Sequence, residues 1–254
     1  MMGNVKVPWL LPDEEFPDVS QSSTEKGIEG LLAISREMTP AQLVRAYRHG
    51  IFPWYSEGYP VMWWSTSPRM VLPTDRFIIS HSLRKKLKQV HRSMHSNGPW
   101  QVRFDSAFDE VILCCAYTER TGQDGTWITG DIISNYSELH RQGIAHSAEV
   151  FFEGQLVGGA YGINLGKMFF GESMFAHRTD ASKIALAYLT AHLKQQDVQL
   201  IDCQQETPHL ASLGAGTISR EAFSAHLDQV CDQPAVTGWH QPDCPFCSLL
   251  SPIQ

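Results

Sequence analysis

Three polar side chains in the sequence have the types and positions that acyl transfer to an amine requires. Glu172 interrupts a β-forming stretch at 168–175, next to Gly171, and Asp202 and Gln204 follow a short apolar run. A carboxylate can accept the proton of an attacking amine, and an amide can orient or polarise the carbonyl under attack. Such residues are also common at strand ends as solvated or capping groups. The pattern therefore indicates a candidate site, with capping as the alternative.

A strand, a loop, a helix and a second strand must position these side chains. Glycine beside Glu172 predicts a bulge or a close approach to the backbone. Thr179 and Asp180 are suited to cap a helix, and apolar residues cover more than half of that helix, which predicts that it is buried. The apolar run at 198–201 predicts a strand that carries Asp202 at its carboxyl end, where open α/β sheets place ligands. We therefore expect Glu172, Asp202 and Gln204 to face one cleft.

The stretch before this unit alternates with the period of strands. From His146, turns at 153–154 and 164–166 separate three such segments, which predicts an antiparallel meander. Further helices are predicted over 39–49, 80–91, 104–118, 132–142 and 219–230. The fold class is therefore α+β, with a small N-terminal α/β domain over 1–77 and a second domain over 78–254. We expect the second domain to hold a mixed, largely antiparallel sheet flanked by helices.

Composition limits the classes of protein that the chain can represent. Its 254 residues are 43% hydrophobic and 19% charged, which is typical of a globular protein. The formal charge of -7 argues against non-specific coating of nucleic acid, so any such contact needs a local basic patch. No apolar run reaches transmembrane length and the N-terminus has no sustained apolar region, so we expect no membrane association and a cytoplasmic protein.

The helix predicted at 80–91 supplies one local basic patch. Arg84, Lys85 and Lys88 lie on a different face from the apolar residues Leu83 and Leu87. This concentration of positive charge in an acidic protein could attract phosphate, although charged faces are most often only solvated. The helix is thus a candidate contact for a nucleic-acid backbone.

Tryptophans form a second candidate feature. Trp54, Trp63 and Trp64 fall within eleven residues, and Trp127 stands in a loop before a helix. Such rings can stack on a nucleobase, at ~1 to 3 kcal/mol each, or can pack in a core or a domain interface. The sequence leaves both possibilities open.

Six cysteines are consistent with free thiols in a reducing compartment. Cys244 and Cys247, with Cys231 and His240 upstream, could form a tetrahedral zinc site, but the outer spacing is irregular. A plain tail is the favoured interpretation, and we expect no metal or other cofactor.

Several motifs carry a resemblance to one family. The motifs are GIFPW at 50–54, WWSTSPR at 63–69, TWI at 126–128, LVGGAYG at 156–162, GESMF at 171–175, ASKIAL at 181–186, LIDCQ at 200–204 and HLASLGA at 209–215. Together, and in this order, they resemble the leucyl/phenylalanyl-tRNA-protein transferase family, over roughly residues 30 to 227.

The resemblance implies a fold and a reaction. The second domain is expected to be like the Gcn5-related N-acetyltransferases (GNAT-like). Leucine or phenylalanine would move from Leu-tRNA or Phe-tRNA to the N-terminal α-amine of proteins that begin with Arg or Lys, which marks them for N-end-rule degradation. An apolar pocket selects by size, so methionine should be accepted weakly. No metal is needed, because an aminoacyl ester is already activated. We expect a monomer.

The resemblance also implies roles for individual residues. Trp54 and Trp127 are similar to the pair that holds the terminal adenosine of the tRNA. Asp202 and Gln204 resemble the pair implicated in amine activation and carbonyl orientation, and Glu172 resembles an acidic pocket residue; which group acts as base stays open. The pocket for the transferred side chain is expected at Phe169, Gly171, Met174, Leu186, Leu189 and Ile201.

Two other functions compete with this interpretation. An acetyl-CoA-dependent N-acetyltransferase would need a glycine-rich loop for the pyrophosphate, and the segment at 176–180 has no glycine. A non-catalytic RNA-binding module would use the tryptophans and the basic helix, but it would not explain the convergence of Glu172, Asp202 and Gln204.

Overall fold

The structure is a computed structural model that describes residues 7–118 and 126–240. Its helices are Pro40–Arg48 (α1), His81–His95 (α2), Phe108–Tyr117 (α3), Gly130–Arg141 (α4), Ala181–Gln195 (α5), Pro208–Ser212 (α6) and Arg220–Val230 (α7). Its strands are Trp9–Leu10 (β1), Leu31–Ser35 (β2), Phe52–Pro53 (β3), Val61–Trp64 (β4), Arg69–Pro73 (β5), Trp100–Phe104 (β6), Ala145–Phe152 (β7), Gln155–Leu165 (β8), Met168–Ala176 (β9), Leu200–Gln204 (β10) and Gly216–Ile218 (β11).

The N-terminal part of the chain forms a small four-stranded sheet with the order β1-β2-β4-β3. Helix α1 packs beside it and starts as predicted, because the Thr39 hydroxyl accepts a hydrogen bond from the Gln42 N–H at 3.2 Å. Gly50, with φ 71°, follows the helix in the left-handed conformation that commonly ends helices. The inner face of α1 buries Leu43 and Tyr47, and Tyr47 lies in contact with the larger sheet.

The larger sheet has seven strands in the order β11-β5-β10-β9-β8-β7-β6. Strands β7, β8 and β9 form the predicted antiparallel meander, and α5 then connects β9 to β10, which lies parallel to it. The other neighbouring pairs are antiparallel, so the mixed, largely antiparallel α+β character is confirmed. Strand β5 belongs to this sheet, so the chain passes from the small sheet to the larger one between Trp64 and Arg69. The N-terminal domain was expected to extend to residue 77.

Three local elements differ from the sequence-based expectations. The helix expected from Phe104 begins at Phe108, because Asp105 adopts φ 52° and its carboxylate accepts the Ser147 N–H at 2.8 Å. The strand expected at 198–201 runs instead from Leu200 to Gln204. Asp180 occupies the N-cap position of α5, but at φ 66° its side chain makes no capping hydrogen bond.

Two apolar clusters lie against the larger sheet. One is shared with the small sheet, α1, α3, α4 and α7, and the other holds α2, α5 and the segment after α7. Every residue of α5 from Ile184 to Leu193 is buried, which confirms the prediction of a buried helix. Within the described residues, no helix is long and apolar enough to cross a membrane.

Candidate active site

A β-bulge places Glu172 at the centre of the candidate site. Gly171 lies opposite Gly162 in the β8–β9 ladder and Ser173 lies opposite Tyr161, so Glu172 is the extra residue. Of the two alternatives that the sequence left open, a bulge or a close approach to the backbone, the structure shows a bulge. It turns the Glu172 carboxyl out of the regular ladder and towards α1 and α4.

The Glu172 carboxyl is held by two phenols and an amide. The Tyr47 hydroxyl donates to Oε1 at 2.6 Å, the Tyr136 hydroxyl contacts Oε2 at 3.1 Å, and Gln204 Nε2 donates to Oε1 at 3.2 Å. The two phenol oxygens are also hydrogen-bonded to each other. The carboxyl, the two phenols and the amide therefore form one hydrogen-bonded network.

This arrangement changes the pKa of all three groups. Burial raises the pKa of Glu172 to about 7, and the hydrogen bonds from Tyr47 and Tyr136 oppose that increase. Burial and the nearby Glu172 charge raise the pKa of both phenols well above the ordinary value. The phenols therefore stay protonated near neutral pH, while Glu172 can gain or lose its proton there.

Asp202 lies beneath the cleft rather than on it. Its carboxylate forms a bidentate pair with Arg69, with Nε to Oδ1 at 2.7 Å and Nη2 to Oδ2 at 2.6 Å, and Asp202 is fully buried. The guanidinium is sandwiched 4.8 Å from the ring centroids of Phe52 and Phe223, and also donates to the Gly50 carbonyl. The expectation that Asp202 faces the cleft is therefore wrong, because Arg69 occupies both of its oxygens.

Gln204 reaches the cleft through a second irregularity. The β5–β10 register shifts between Asp202 and Gln204, and Gln204 adopts φ 53°. The Asp202 Oδ1 accepts the Gln204 backbone N–H at 3.0 Å, and Thr66 donates to the Gln204 carbonyl at 3.2 Å. Asp202 thus fixes the turn that points the Gln204 amide towards Glu172.

A cavity of about 690 Å³ opens in front of these groups. Its lining residues are Phe52, Pro53, Trp54, Trp127, Glu172, Ser173, Met174, Phe175, Ala176, Ser182, Cys203, Gln204, Gln205, Thr207, His209 and Leu210. This lining is mostly apolar, with Glu172 as its carboxyl group. Such a cleft suits a substrate with an apolar or aromatic part and a reacting polar centre.

The tryptophans divide between core and cleft. Trp63 is completely buried and donates to Ser35, and Trp64 donates to the Trp54 carbonyl, so both belong to the small sheet. Trp54 is 40% exposed and meets Trp64 edge to face at 5.7 Å, while Trp127 is half-buried. Both Trp54 and Trp127 line the cavity. Trp63 and Trp64 therefore pack in the small sheet, whereas stacking of Trp54 and Trp127 on a nucleobase stays a prediction.

The residues expected to form the amino-acid pocket lie along the layer between the larger sheet and α5. Phe169 and the neighbouring Leu186, Leu189 and Ile201 are buried in one apolar cluster, and Met174 packs against that cluster. Met174 and Gly171 are half-buried, and Met174 lines the cavity. Of the six expected pocket residues, Met174 alone lines the cavity, so the pocket for the transferred side chain stays a prediction.

The basic residues of α2 are not among those that line this cleft. On α2, Leu83 and Leu87 are buried, Lys85 and Lys88 are exposed and Arg84 is half-buried, as the periodicity predicts. Among the described residues no cluster of potential metal ligands occurs. Cys231 is buried and His240 is exposed, whereas Cys244 and Cys247 lie outside the described residues, so the zinc site stays a prediction.

Three residues of the site were not identified from the sequence. The position of Arg69 at the start of an apolar strand indicates a buried ion pair, because a buried cation needs a partner of opposite charge. For Tyr47 and Tyr136, helical periodicity predicts only that the side chains point inward. It does not identify Glu172 as their partner.

Cys203 also lines the cavity. Burial raises the pKa of its thiol well above the ordinary value, so this thiol is unreactive.

Comparison with known proteins shows the family of this chain. The family model described as "Leucyl/phenylalanyl-tRNA protein transferase" matches residues 71–228, and the model of that family's N-terminal domain matches residues 36–67. Relatives named leucyl/phenylalanyl-tRNA–protein transferase include one from Janthinobacterium sp. (strain Marseille), 53% identical over 92% of this chain and 96% of its own. Another, from Ralstonia pickettii (strain 12J), is 53% identical over 92% and 93% of the two chains.

These matches define the class of protein as an aminoacyltransferase enzyme. The chain belongs to the leucyl/phenylalanyl-tRNA-protein transferase family. Among solved structures, L-PGS from Bacillus licheniformis is 13% identical with a TM-score of 0.36, over 69% of this chain and 55% of that one. That degree of likeness does not define a shared fold.

Proposed function

We propose that this chain transfers leucine or phenylalanine, and more weakly methionine, from aminoacyl-tRNA to the N-terminal α-amine of proteins that begin with Arg or Lys. The product would then be marked for N-end-rule degradation in the cytoplasm, where aminoacyl-tRNA is made. One observation carries the proposal: a carboxyl with a pKa of about 7, Glu172, lies on a cleft that also presents Trp54 and Trp127. The names of the relatives support the same reaction.

The chemistry needs a proton acceptor and no metal. The amine nitrogen attacks the ester carbonyl of the aminoacyl-tRNA, an amide bond forms, and the ester C–O bond breaks. The amine loses a proton to Glu172, and the leaving ribose oxygen gains one. An α-amine has a pKa of ~7.7 to 8.0, so a carboxyl with a raised pKa is well matched to it near neutral pH.

Gln204 and Asp202 have distinct roles in this scheme. The Gln204 amide contacts Glu172 and can hold the reacting carbonyl in line with the amine. Asp202 acts as a positioning residue, because its oxygens are taken by Arg69 and by the Gln204 backbone N–H. This assignment replaces the direct contact between Asp202 and the amine that the resemblance implied.

The remaining expected contacts concern the tRNA and the amino acid. Trp54 and Trp127 line the cleft and can enclose the terminal adenosine. Arg84, Lys85 and Lys88 of α2 are suited to the phosphate backbone. Met174 leads from the cleft towards Phe169, Leu186, Leu189 and Ile201, an apolar layer that would discriminate among side chains by ~1 to 3 kcal/mol per methylene.

The acceptor's cationic first residue would be attracted by Glu172. Asp202 does not contribute a free charge, because Arg69 neutralises it. Preference for Arg or Lys then depends on the ionised form of Glu172, which also accepts the amine proton. We also propose that the enzyme acts as a monomer.

We assign the second domain to the GNAT-like acyltransferases on its topology: the meander β7–β9, the buried helix α5 and the parallel strand β10. Acetyl-CoA is a poor alternative substrate. Asp180 stands at the start of α5, where a pyrophosphate would bind, and its carboxylate is 3.1 Å from Lys183 Nζ. The segment 176–180 before α5 also lacks the glycines of a pyrophosphate-binding loop.

One assay tests the proposal directly. Purified protein is incubated with radiolabelled Leu-tRNA and a peptide that begins with Arg, and label is measured in the peptide. We expect transfer to this peptide and none to its N-acetylated form, which lacks the free amine. Glu172→Gln should lose most of the transfer, whereas Glu149→Gln, a buried carboxyl away from the cleft, should retain it. Label that enters neither peptide, or that requires acetyl-CoA, would reject the proposal.

A further inference from the structure

The segment after α7 folds back onto the larger sheet. The Lys167 N–H donates to the Val230 carbonyl at 2.9 Å, and the Val236 N–H donates to Asn164 Oδ1 at 3.0 Å. The Asn164 amide donates in turn to Gly166 and Met168 carbonyls, so it is fixed within the β8–β9 turn. Residues 231–240 lie beyond the part matched by the family model, yet they are anchored to the strands that carry the site.

Trp239 is the principal side chain of this segment. It is 5% exposed, and its Nε1 donates to the Val236 carbonyl at 3.1 Å. Four rings surround it with centroid separations between 4.0 and 6.2 Å: Phe104, His146, Phe169 and His192. An anchored indole in such a ring cluster makes many dispersion contacts and resists displacement.

The imidazole of His146 stacks on the indole of Trp239. The two rings stack at 4.0 Å with an interplanar angle of 7°. His146 Nδ1 is 2.7 Å from Asp105 Oδ2 and Nε2 is 3.1 Å from the Gly143 carbonyl. The imidazole is therefore held on both of its nitrogens and gives the indole a fixed surface to stack on.

Trp239 and the cavity lie at opposite ends of one packed layer. Helix α5 lines the cavity at Ser182 and contacts Trp239 at His192, ten residues later, which is ~15 Å along a helix. Leu186 and Leu189 occupy the same helical face between these two points. The layer between α5 and the sheet therefore adjoins the cavity at one end, at Ser182 and Met174, and is covered at the far end by Trp239.

Phe169 lies within this layer and contacts Trp239. Its ring is completely buried, with the Trp239 centroid 6.0 Å away on one side. On another side Gly162 leaves no spare room, since a Cβ there would lie 2.6 Å from Phe169 Cε1. The Phe169 ring thus has its position set by the strand on one side and by the C-terminal segment on the other.

We propose that Trp239 is a specificity-determining residue: it holds Phe169 and thereby fixes how deep the pocket for the transferred amino-acid side chain can extend. The inference rests on the proposed function. The segment 231–240 then contributes to the choice between leucine and phenylalanine. Removing the indole leaves an apolar space into which Phe169 can recede, which deepens the pocket and favours phenylalanine over the shorter leucine.

The test compares kcat/KM for Phe-tRNA with kcat/KM for Leu-tRNA, using a peptide that begins with Arg. Trp239→Ala should raise the ratio of Phe to Leu by about threefold or more, since relaxation by one methylene is worth at least that much. Trp239→Phe keeps an aromatic support and should leave the ratio close to that of the wild type. Phe169→Leu should shift the ratio directly, and the double variant with Trp239→Ala should show a non-additive change.

Trp100→Ala is the matched control. Trp100 is 3% exposed and belongs to the same apolar cluster, but it packs on Phe152 instead of Phe169. It should lower the melting temperature and leave the ratio unchanged. An unchanged ratio in Trp239→Ala, or an equal shift in Trp100→Ala, overturns the role of Trp239 while transfer by the wild type upholds the proposed function.

Two further outcomes are also decisive. If Trp239→Ala yields no folded protein, the same ratio measured with Trp239→Leu decides, because leucine still leaves part of the indole volume empty. A wild-type enzyme that transfers neither amino acid rejects the proposed function, and this inference with it.

Discussion

The guanidinium of Arg69 and the carboxylate of Asp202 form a buried bidentate ion pair, with their side chains 1% and 0% exposed. The pair connects β5 to β10 and holds the backbone turn that carries Gln204. The two charges therefore stabilise the backbone beneath the cleft, and Gln204 is the residue through which they act on the site.

Loss of either partner of this pair should unfold the protein more easily. Asp202→Asn or Arg69→Met leaves an uncompensated buried charge, or a poorly paired one, and should lower the free energy of unfolding by about 3 to 5 kcal/mol. Urea denaturation measures the change. The double variant Arg69→Met/Asp202→Asn should be less destabilised than the two single changes added together.

An exposed ion pair serves as the control for this prediction. Arg48 and Asp232 also form a bridge, but their side chains are 42% and 83% exposed. Asp232→Asn should therefore change stability by less than about 1 kcal/mol. Equal effects of Asp202→Asn and Asp232→Asn would contradict the structural role of the buried pair.

The rate of transfer should depend on the ionisation of Glu172. Its pKa is raised to about 7, and the deprotonated form is the one that accepts a proton, so the single-turnover rate should rise with pH through about 7 and then level off. Glu172→Gln should remove this rise and lower the rate by one to three orders of magnitude, about 1.4 to 4 kcal/mol of barrier. Rapid-quench measurements with Leu-tRNA would show it.

Glu149 provides a carboxyl of similar pKa away from the cleft. Burial raises its pKa from 4.5 to about 7, against hydrogen bonds from Ser147 and Ser106. Because the folded state binds this proton more tightly than the unfolded state, its contribution to stability is present below pH 4.5 and is lost as the pH rises through about 7. Glu149→Gln should flatten that pH dependence and leave the pH–rate profile intact.

The two phenols should tune the pKa of Glu172. Their hydrogen bonds lower that pKa, so Tyr47→Phe should raise it further and move the pH–rate profile to higher pH. The rate lost at pH 7 should return at more alkaline pH. Tyr136→Phe, whose bond is longer, should give a smaller displacement. A uniform loss of rate at all pH values would show that the phenols act in another way.

Trp54 and Trp127 should contribute through stacking on the terminal base. Replacing either by Ala should weaken binding of a minimal aminoacyl-adenosine by ~1 to 3 kcal/mol, whereas Phe should retain most of it. Inhibition constants of a non-reactive analogue measure this difference. Trp9 is 54% exposed and lies off the cavity, so Trp9→Ala should have no effect. Equal losses with Ala and Phe, accompanied by a lower melting temperature, would indicate a packing role.

The basic face of α2 should contribute to tRNA binding through charge. Changing Arg84, Lys85 and Lys88 to Gln should raise KM for aminoacyl-tRNA and reduce its salt dependence by about one unit of slope for each lost phosphate contact. The minimal aminoacyl-adenosine should be unaffected. A control variant neutralises three exposed cations elsewhere: Arg36, Arg76 and Lys194. An unchanged slope in the α2 variant would exclude this helix from the tRNA contact.

The sequence by itself determined the local elements of the site. Strand periodicity predicted the meander, glycine beside Glu172 predicted a bulge or a close approach to the backbone, and the apolar surface of α5 predicted its burial. Those features depend on residues near one another in the chain, so the pattern is sufficient to reveal them. The family motifs belong to the same category, because each is a short contiguous run.

Only the tertiary structure decided which charges and hydroxyls meet. Arg69 and Asp202 are 133 positions apart, and Tyr47 and Glu172 are 125 apart. No periodicity links such residues, and a side chain's type does not specify its distant partner. Asp202 was therefore expected on the cleft, whereas the fold pairs it with Arg69, since a buried carboxylate is stable only beside a compensating charge. The support that Trp239 gives to Phe169 is of the same kind, because packing between distant segments exists only once the sheet has formed.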